Sequence, residues 1–86
     1  MNTVIITLIH KDSLSEYDLE IPINLKVESI IDIIKSFLIA HDVFIDPYKS
    51  YVLKSQTHSI ILNIKSTLPE NDIWEGSILE LMTLKS

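Results

Sequence analysis

Cysteine and arginine are absent from this 86-residue chain, and glycine occurs once. Without cysteine there is no disulfide, no thiolate nucleophile and no cysteine-bound zinc or iron–sulfur site. A small domain with no disulfide suits a reducing compartment. Arginine is the side chain that grips phosphate and guanine in bidentate fashion, and none is available. The lysines (11, 26, 35, 49, 54, 65 and 85) are scattered without a run, and the net charge is −5. Nucleic-acid binding and docking on anionic lipid are therefore not expected. Gly76 alone cannot build a glycine-rich phosphate loop. A single glycine and three prolines also argue against a linker or a disordered chain. The longest apolar run, near residues 30–40, is interrupted by Asp32, Lys35 and Ser36. It falls short of the roughly 20 residues that span a bilayer. The N-terminal apolar run has no basic flank and breaks at His10-Lys11-Asp12, unlike a signal peptide. The expectation is a cytoplasmic protein without direct membrane insertion.

What the chain does have is hydrophobic bulk. Apolar residues make up 47% of it, and isoleucine occurs 16 times. That β-branched supply suits a dense core with much strand. The length allows one domain, residues 1–86. Residues 4–10 form a short apolar segment, predicted as a strand covered on both faces. Lys11-Asp12-Ser13-Leu14-Ser15 is turn material, giving a five-residue hairpin loop. Residues 16–23 alternate, with Tyr17, Leu19, Ile21 and Ile23 on one side and Asp18 and Glu20 on the other, as in a half-buried strand. The period then changes. Val27, Ile30, Ile31, Ile34 and Leu38 fall at helical spacing, predicting an amphipathic helix that ends near His41. Lys26 is a poor N-cap for it, and Glu28 partly compensates through the helix dipole. Residues 48–54 and 60–64 read as two further strands around a polar tip at 55–59. A last strand covers 77–84. The order is β-β-α-β-β-β, an α+β fold with one helix packed across a mixed sheet.

The stretch from Thr67 to Leu81 carries a resemblance. Thr67-Leu68 opens a tight polar turn, Ile73 follows five residues after Leu68, and Ser77-Ile78-Leu79-Glu80-Leu81 places leucines on one face. This resembles the end of the ubiquitin-like β-grasp, with its 3₁₀ turn, buried isoleucine and final strand. Leu19-Glu20-Ile21 followed by Val27, Ile30 and Ile34 resembles the passage from the second strand into the helix. Within that superfamily the chain resembles the YukD/EsaB group. The likeness rests on the short apolar first strand, Tyr17-Asp18-Leu19, a helix reading Val27-Glu28-Ser29-Ile30-Ile31-Asp32-Ile33, and a stop directly after the last strand at Lys85-Ser86. The resemblance implies a small cytosolic accessory protein of a type VII (WXG100) secretion system of Gram-positive bacteria. It would act by non-covalent protein–protein binding to cytosolic parts of the membrane machinery, such as a pseudokinase subunit or an FtsK-like ATPase. Conjugated relatives and sulfur carriers end in a diglycine tail. The ending Leu84-Lys85-Ser86 has none, so carrier chemistry is the weaker alternative beside a free-standing ubiquitin-like adaptor in another pathway.

No enzymatic activity, catalytic residue, metal or cofactor is expected. His10, His41 and His58 lie in different elements and form no His-x-x-x-His pair. His41-Asp42 near a helix end reads as a cap or as solvated surface, and imidazole chemistry would need a positioned partner. No serine sits in a nucleophile-elbow motif. Glu70-Asn71-Asp72 reads as turn chemistry rather than a calcium site, which needs a denser oxygen cluster. By analogy with ubiquitin, Leu14, Val52 and Met82 point outward together, either as a recognition patch or as ordinary surface apolar residues. Trp74 follows a buried isoleucine and either anchors a partner or lies flat on its neighbours. Ile33 and Ile39 widen the core or mark self-association, so monomer and weak homodimer both stay open.

Overall fold

The computed structural model describes residues 2–84. Strands β1 (Thr3–His10) and β2 (Ser15–Pro22) form an antiparallel hairpin. Helix α1 (Val27–Ala40) follows, then β3 (Tyr51–Ser55), β4 (Ile60–Ile61) and β5 (Ile78–Thr83). The sheet order is β2-β1-β5-β3-β4, with β1 and β5 parallel and the other neighbours antiparallel. The helix covers one face. This is the ubiquitin-like β-grasp that the resemblance implies, built in the β-β-α-β-β-β order that the periodicities predict.

The core follows from side-chain alternation. Val4, Ile6 and Leu8 of β1, Leu19 and Ile21 of β2, Leu53 of β3, and Leu79 and Leu81 of β5 face the helix. Val27, Ile30, Ile31, Ile34 and Leu38 answer from α1. Fully burying one such side chain is worth about 1.5–3 kcal/mol. Leu68 and Ile73 close one end of the core, joined by the Ile73 N–H to the Leu68 carbonyl at 2.9 Å. Between them Pro69–Asn71 forms a 3₁₀ turn. It is held by a capping box: Thr67 N–H donates to Glu70 Oε1 at 2.8 Å, and Glu70 N–H donates to Thr67 Oγ1 at 3.3 Å.

Several boundaries differ from the sequence expectation, each for a local reason. β1 is covered on one face only, and Ile5 on the other face is exposed. The hairpin loop is one residue shorter than expected, because Ser15 already pairs with His10. β3 begins at Tyr51 because Asp46 captures the preceding residues. Its carboxylate accepts the Tyr48 N–H at 2.9 Å and its carbonyl the Lys49 N–H at 3.3 Å, which leaves the Tyr48 side chain in solvent. β5 likewise stops at Thr83.

β4 ends at Ile61 and does not extend to 64. The next residues serve the helix instead. The Val27 N–H donates to the Ser66 carbonyl at 2.9 Å and the Glu28 N–H to the Ile64 carbonyl at 3.0 Å. α1 has no side-chain N-cap, and these carbonyls satisfy donors that Lys26 cannot serve. The Lys65 ammonium pairs with Glu28 at 3.0 Å above the same helix end. Lys85 and Ser86, on which the expectation about carrier chemistry rests, lie outside the described residues.

Candidate protein-interaction surface

The face of the sheet away from the helix is built by the alternate residues. β1 contributes Thr3, Ile5, Thr7 and Ile9, β2 contributes Glu16, Asp18 and Glu20, β5 contributes Ile78, Glu80 and Met82, and β3 contributes Val52 and Lys54. Val52 and Met82 are direct cross-strand partners. Leu14 stands at the same end of the sheet, in the β1–β2 turn where β1 stops. The structure thus gathers Leu14, Val52 and Met82 at one end, but with unequal exposure. Leu14 is 93% exposed, Met82 is half-buried and Val52 is only 9% exposed. The outward direction expected of Val52 holds, but the side chain is not an exposed one. A short valine set beside Met82 and Lys54 becomes the floor between longer side chains.

Trp74 does not join this group. It lies in the turn that enters β5, where the Gly76 N–H donates to the Ile5 carbonyl at 2.8 Å. Ile5 precedes His10 by five residues of extended strand, roughly 17 Å, so Trp74 and Leu14 occupy opposite ends of the sheet. Trp74 is 54% exposed, and its ring donates its Nε1–H to Asp72 Oδ1 at 3.2 Å. Asp72 also meets His58 of the β3–β4 tip at 3.3 Å. The turn therefore holds its tryptophan by a polar tether and leaves much of the ring in solvent.

Leu14 is the informative residue. Its backbone is left-handed, with φ 53° and ψ 37°, and closes the 3₁₀ turn Lys11–Ser13 by donating its N–H to the Lys11 carbonyl at 3.0 Å. An L-residue in that region carries roughly 1–2 kcal/mol of steric cost, which glycine or asparagine would lessen. Its side chain contributes no core burial to offset this. Leucine is a poor choice for the stability of the turn, and that makes it a candidate for contact with something else. Beside it, Lys11, Asp12, Glu80, Leu81, Met82 and Thr83 line an open cleft of about 180 Å³.

Glu80 sits in the centre of the outer face, 6% exposed. Gln56 Nε2–H donates to its Oε1 at 2.6 Å, and the Lys11 ammonium lies 3.6 Å away. This satisfied carboxylate separates the Leu14 end from Ile5 and Ile78 at the other. The sequence pattern placed Glu80 outward but gave no signal of its burial, which arises between β1 and β3 with Gln56 and Lys11 reaching over from the adjoining turns.

The histidines are dispersed. His10 Nδ1 is 2.8 Å from Ser13 Oγ, and His58 meets Asp72. His41 Nδ1 lies 2.9 Å from the Phe37 carbonyl, so that nitrogen carries the proton and caps the helix end. Among the described residues no group of three or more His, Cys, Asp or Glu side chains is placed to hold a metal ion. No helix among them is long and apolar enough to cross a membrane.

Glu70 has a shifted titration. The Thr67 backbone N–H, then the Thr67 hydroxyl, hold its carboxyl below the usual glutamate value. It belongs to the 3₁₀ turn and serves structure.

No protein-family model matches the chain. No curated protein matches it either. Solved structures do. The EccD5 ubiquitin-like domain from Mycobacterium xenopi superposes with a TM-score of 0.77 at 14% identity, covering 100% of this chain and 99% of that one. The ubiquitin-like domain of the Mycobacterium tuberculosis type VII secretion system protein EccD1 gives 0.71 at 21% identity, covering 95% and 99%. A chain of an ESX-5 inner membrane complex gives 0.76 at 14% identity, with 100% of this chain matched to 22% of that one. At these identities the likeness establishes the ubiquitin-like fold.

Proposed function

We propose that this chain is a ubiquitin-like accessory or adaptor protein of a type VII secretion system, akin to the YukD/EsaB group. It acts by non-covalent binding and not by catalysis or conjugation. Its partner is a cytosolic part of the membrane-embedded machinery, a pseudokinase subunit or an FtsK-like ATPase. The domain recognises that partner through the Leu14 end of the outer face, with Met82 on β5 next along the sheet and Val52 as the low floor on its far side, on β3. The observation that carries the binding reading is Leu14, an almost fully exposed leucine in a left-handed turn position. The secretion reading is supported by some of the solved neighbours, among them the ubiquitin-like domains of EccD5 and of the type VII secretion system protein EccD1.

The test is affinity capture in the native host, with wild type compared with the double substitution Leu14→Lys and Met82→Lys. Wild type recovers a type VII membrane component, and the double variant, folded by circular dichroism, loses it. Recovery of no secretion component by wild type contradicts the pathway. Equal recovery by both contradicts the surface.

A further inference from the structure

The register of β2 exposes a second surface, away from Leu14. The Ile23 N–H donates to the Asn2 carbonyl at 2.9 Å, which fixes the parity of the β1–β2 ladder. Pairs summing to the same register alternate between bonded and non-bonded, so Ser15, Tyr17, Leu19 and Ile21 spend their backbone groups on β1. The opposite set agrees: Ile5 and Thr7 of β1 turn their backbone groups to the β5 side, the Gly76 N–H meeting the Ile5 carbonyl and the Thr7 N–H the Ser77 carbonyl. Glu16, Asp18 and Glu20 therefore point their N–H and C=O groups away from the sheet. β2 is a rim strand, and among the described residues no strand lies beyond it.

Side chains decide what could pair there. Glu16, Asp18 and Glu20 stand in a row on the outer face, about 7 Å apart, and all are exposed. Two are steadied from β1: Thr7 Oγ1 donates to Asp18 at 2.9 Å and Thr3 Oγ1 to Glu20 at 2.7 Å. Each of those two carboxylates keeps a second oxygen. No lysine or histidine reaches any of the three among the described residues. On the helix side of the same rim the surface is aromatic and apolar, with the His41 ring stacked on Phe37 at one end. Tyr17 packs edge-on against Phe37 at 5.2 Å, and Ile33, one helical turn before Phe37, is exposed.

We infer that the β2 rim accepts an extended segment of another protein, adding it as a sixth strand, and that this segment alternates basic with apolar residues. Residues placed opposite Glu16, Asp18 and Glu20 share their face, so lysine or arginine there meets a carboxylate. The intervening residues fall on the helix side, against Ile33 and Phe37. Main-chain bonds supply affinity, and the alternating charge supplies selection. A second copy of this chain is disfavoured, because pairing β2 with β2 would set acidic rows against each other. This surface goes beyond the Leu14 end and does not depend on the secretion assignment.

The experiment uses the full chain and two synthetic peptides, one alternating lysine with valine and one alternating glutamate with valine. Amide exchange and NMR shifts are followed on titration. The lysine peptide protects the Glu16, Asp18 and Glu20 amides, and its affinity falls as salt is raised past the point where the screening length is about 8 Å. The glutamate peptide binds at least about tenfold more weakly. A Glu16→Lys, Asp18→Lys, Glu20→Lys variant reverses the preference. Equal binding of both peptides overturns the proposal, as do no binding, shifts centred on Met82 instead of β2, or a dimer protected at the same amides.

Discussion

β2 and β4 both stand at the rim of the sheet, yet one runs eight residues in unbroken register and the other two. An exposed strand edge invites unwanted pairing, and the molecule handles its two edges differently. On the β4 side the answer is brevity. Leu62 turns into the core and the following residues leave the ladder to cap α1, so Ile60 and Ile61, although exposed, offer almost no template. On the β2 side the strand stays long and regular, and a row of like charge stands in for brevity. The lesson is that an edge can be closed by shortening it or made selective by charging it. Only the second leaves a strand that can still pair.

Predictions follow from this difference in order of size. The short edge depends on Leu62 being anchored. Leu62→Ala should cost about 2–5 kcal/mol in chemical denaturation, because the site is fully packed. A cost under 1 kcal/mol would mean the chain beyond β4 is held by something else. The second anchor is Asn71, whose Oδ1 accepts the Asn63 N–H at 2.7 Å and whose Nδ2–H donates to the Thr67 carbonyl at 2.8 Å. Asn71→Ala should cost about 1–3 kcal/mol, since it orphans several backbone groups. On the other edge, replacing Glu16, Asp18 and Glu20 together by valine should leave the fold intact but drive concentration-dependent association, seen by sedimentation. The same triple change to lysine should stay monomeric, because like charge of either sign repels a second copy; association of the lysine variant would show that charge is not what guards β2.

The smallest effect concerns pH. Glu70 has a folded value held below its unfolded one, so its contribution is present above the unfolded value and is lost as pH falls through the folded value. Thermal melts of wild type and Glu70→Gln should therefore converge in acid and separate toward neutrality, and parallel curves would deny the capping box its charge.

Most of the architecture was legible because the apolar periods are clean. Val27 through Leu38 keeps helical spacing, and Tyr17 through Ile21 alternates without a break. Leu68 and Ile73 announced the closing turn through the ubiquitin-like resemblance rather than through periodicity. What misled were residues whose hydrophobicity suits one role and whose neighbours assign another. Ile64 looks like strand, but its carbonyl caps the helix. Tyr48 looks like strand, but Asp46 holds it in a turn. Val52 points to the predicted face and is covered by longer neighbours, which no alternation rule reports. Trp74 was a candidate anchor from its residue type and its place after Ile73, and the turn that enters β5 sets it at the far end of the sheet from Leu14. The free groups of the β2 rim were beyond reach, since ladder parity appears only once a bond such as Ile23 to Asn2 is seen.

The account turns on Leu14 being kept for contact at the expense of its turn. Leu14→Asn should raise unfolding stability by about 0.5–1 kcal/mol, because asparagine tolerates the left-handed position better, and should weaken capture of the native partner in the same preparation. A variant that is more stable and captures the partner as well as wild type would contradict the assignment of this end of the sheet as the binding surface.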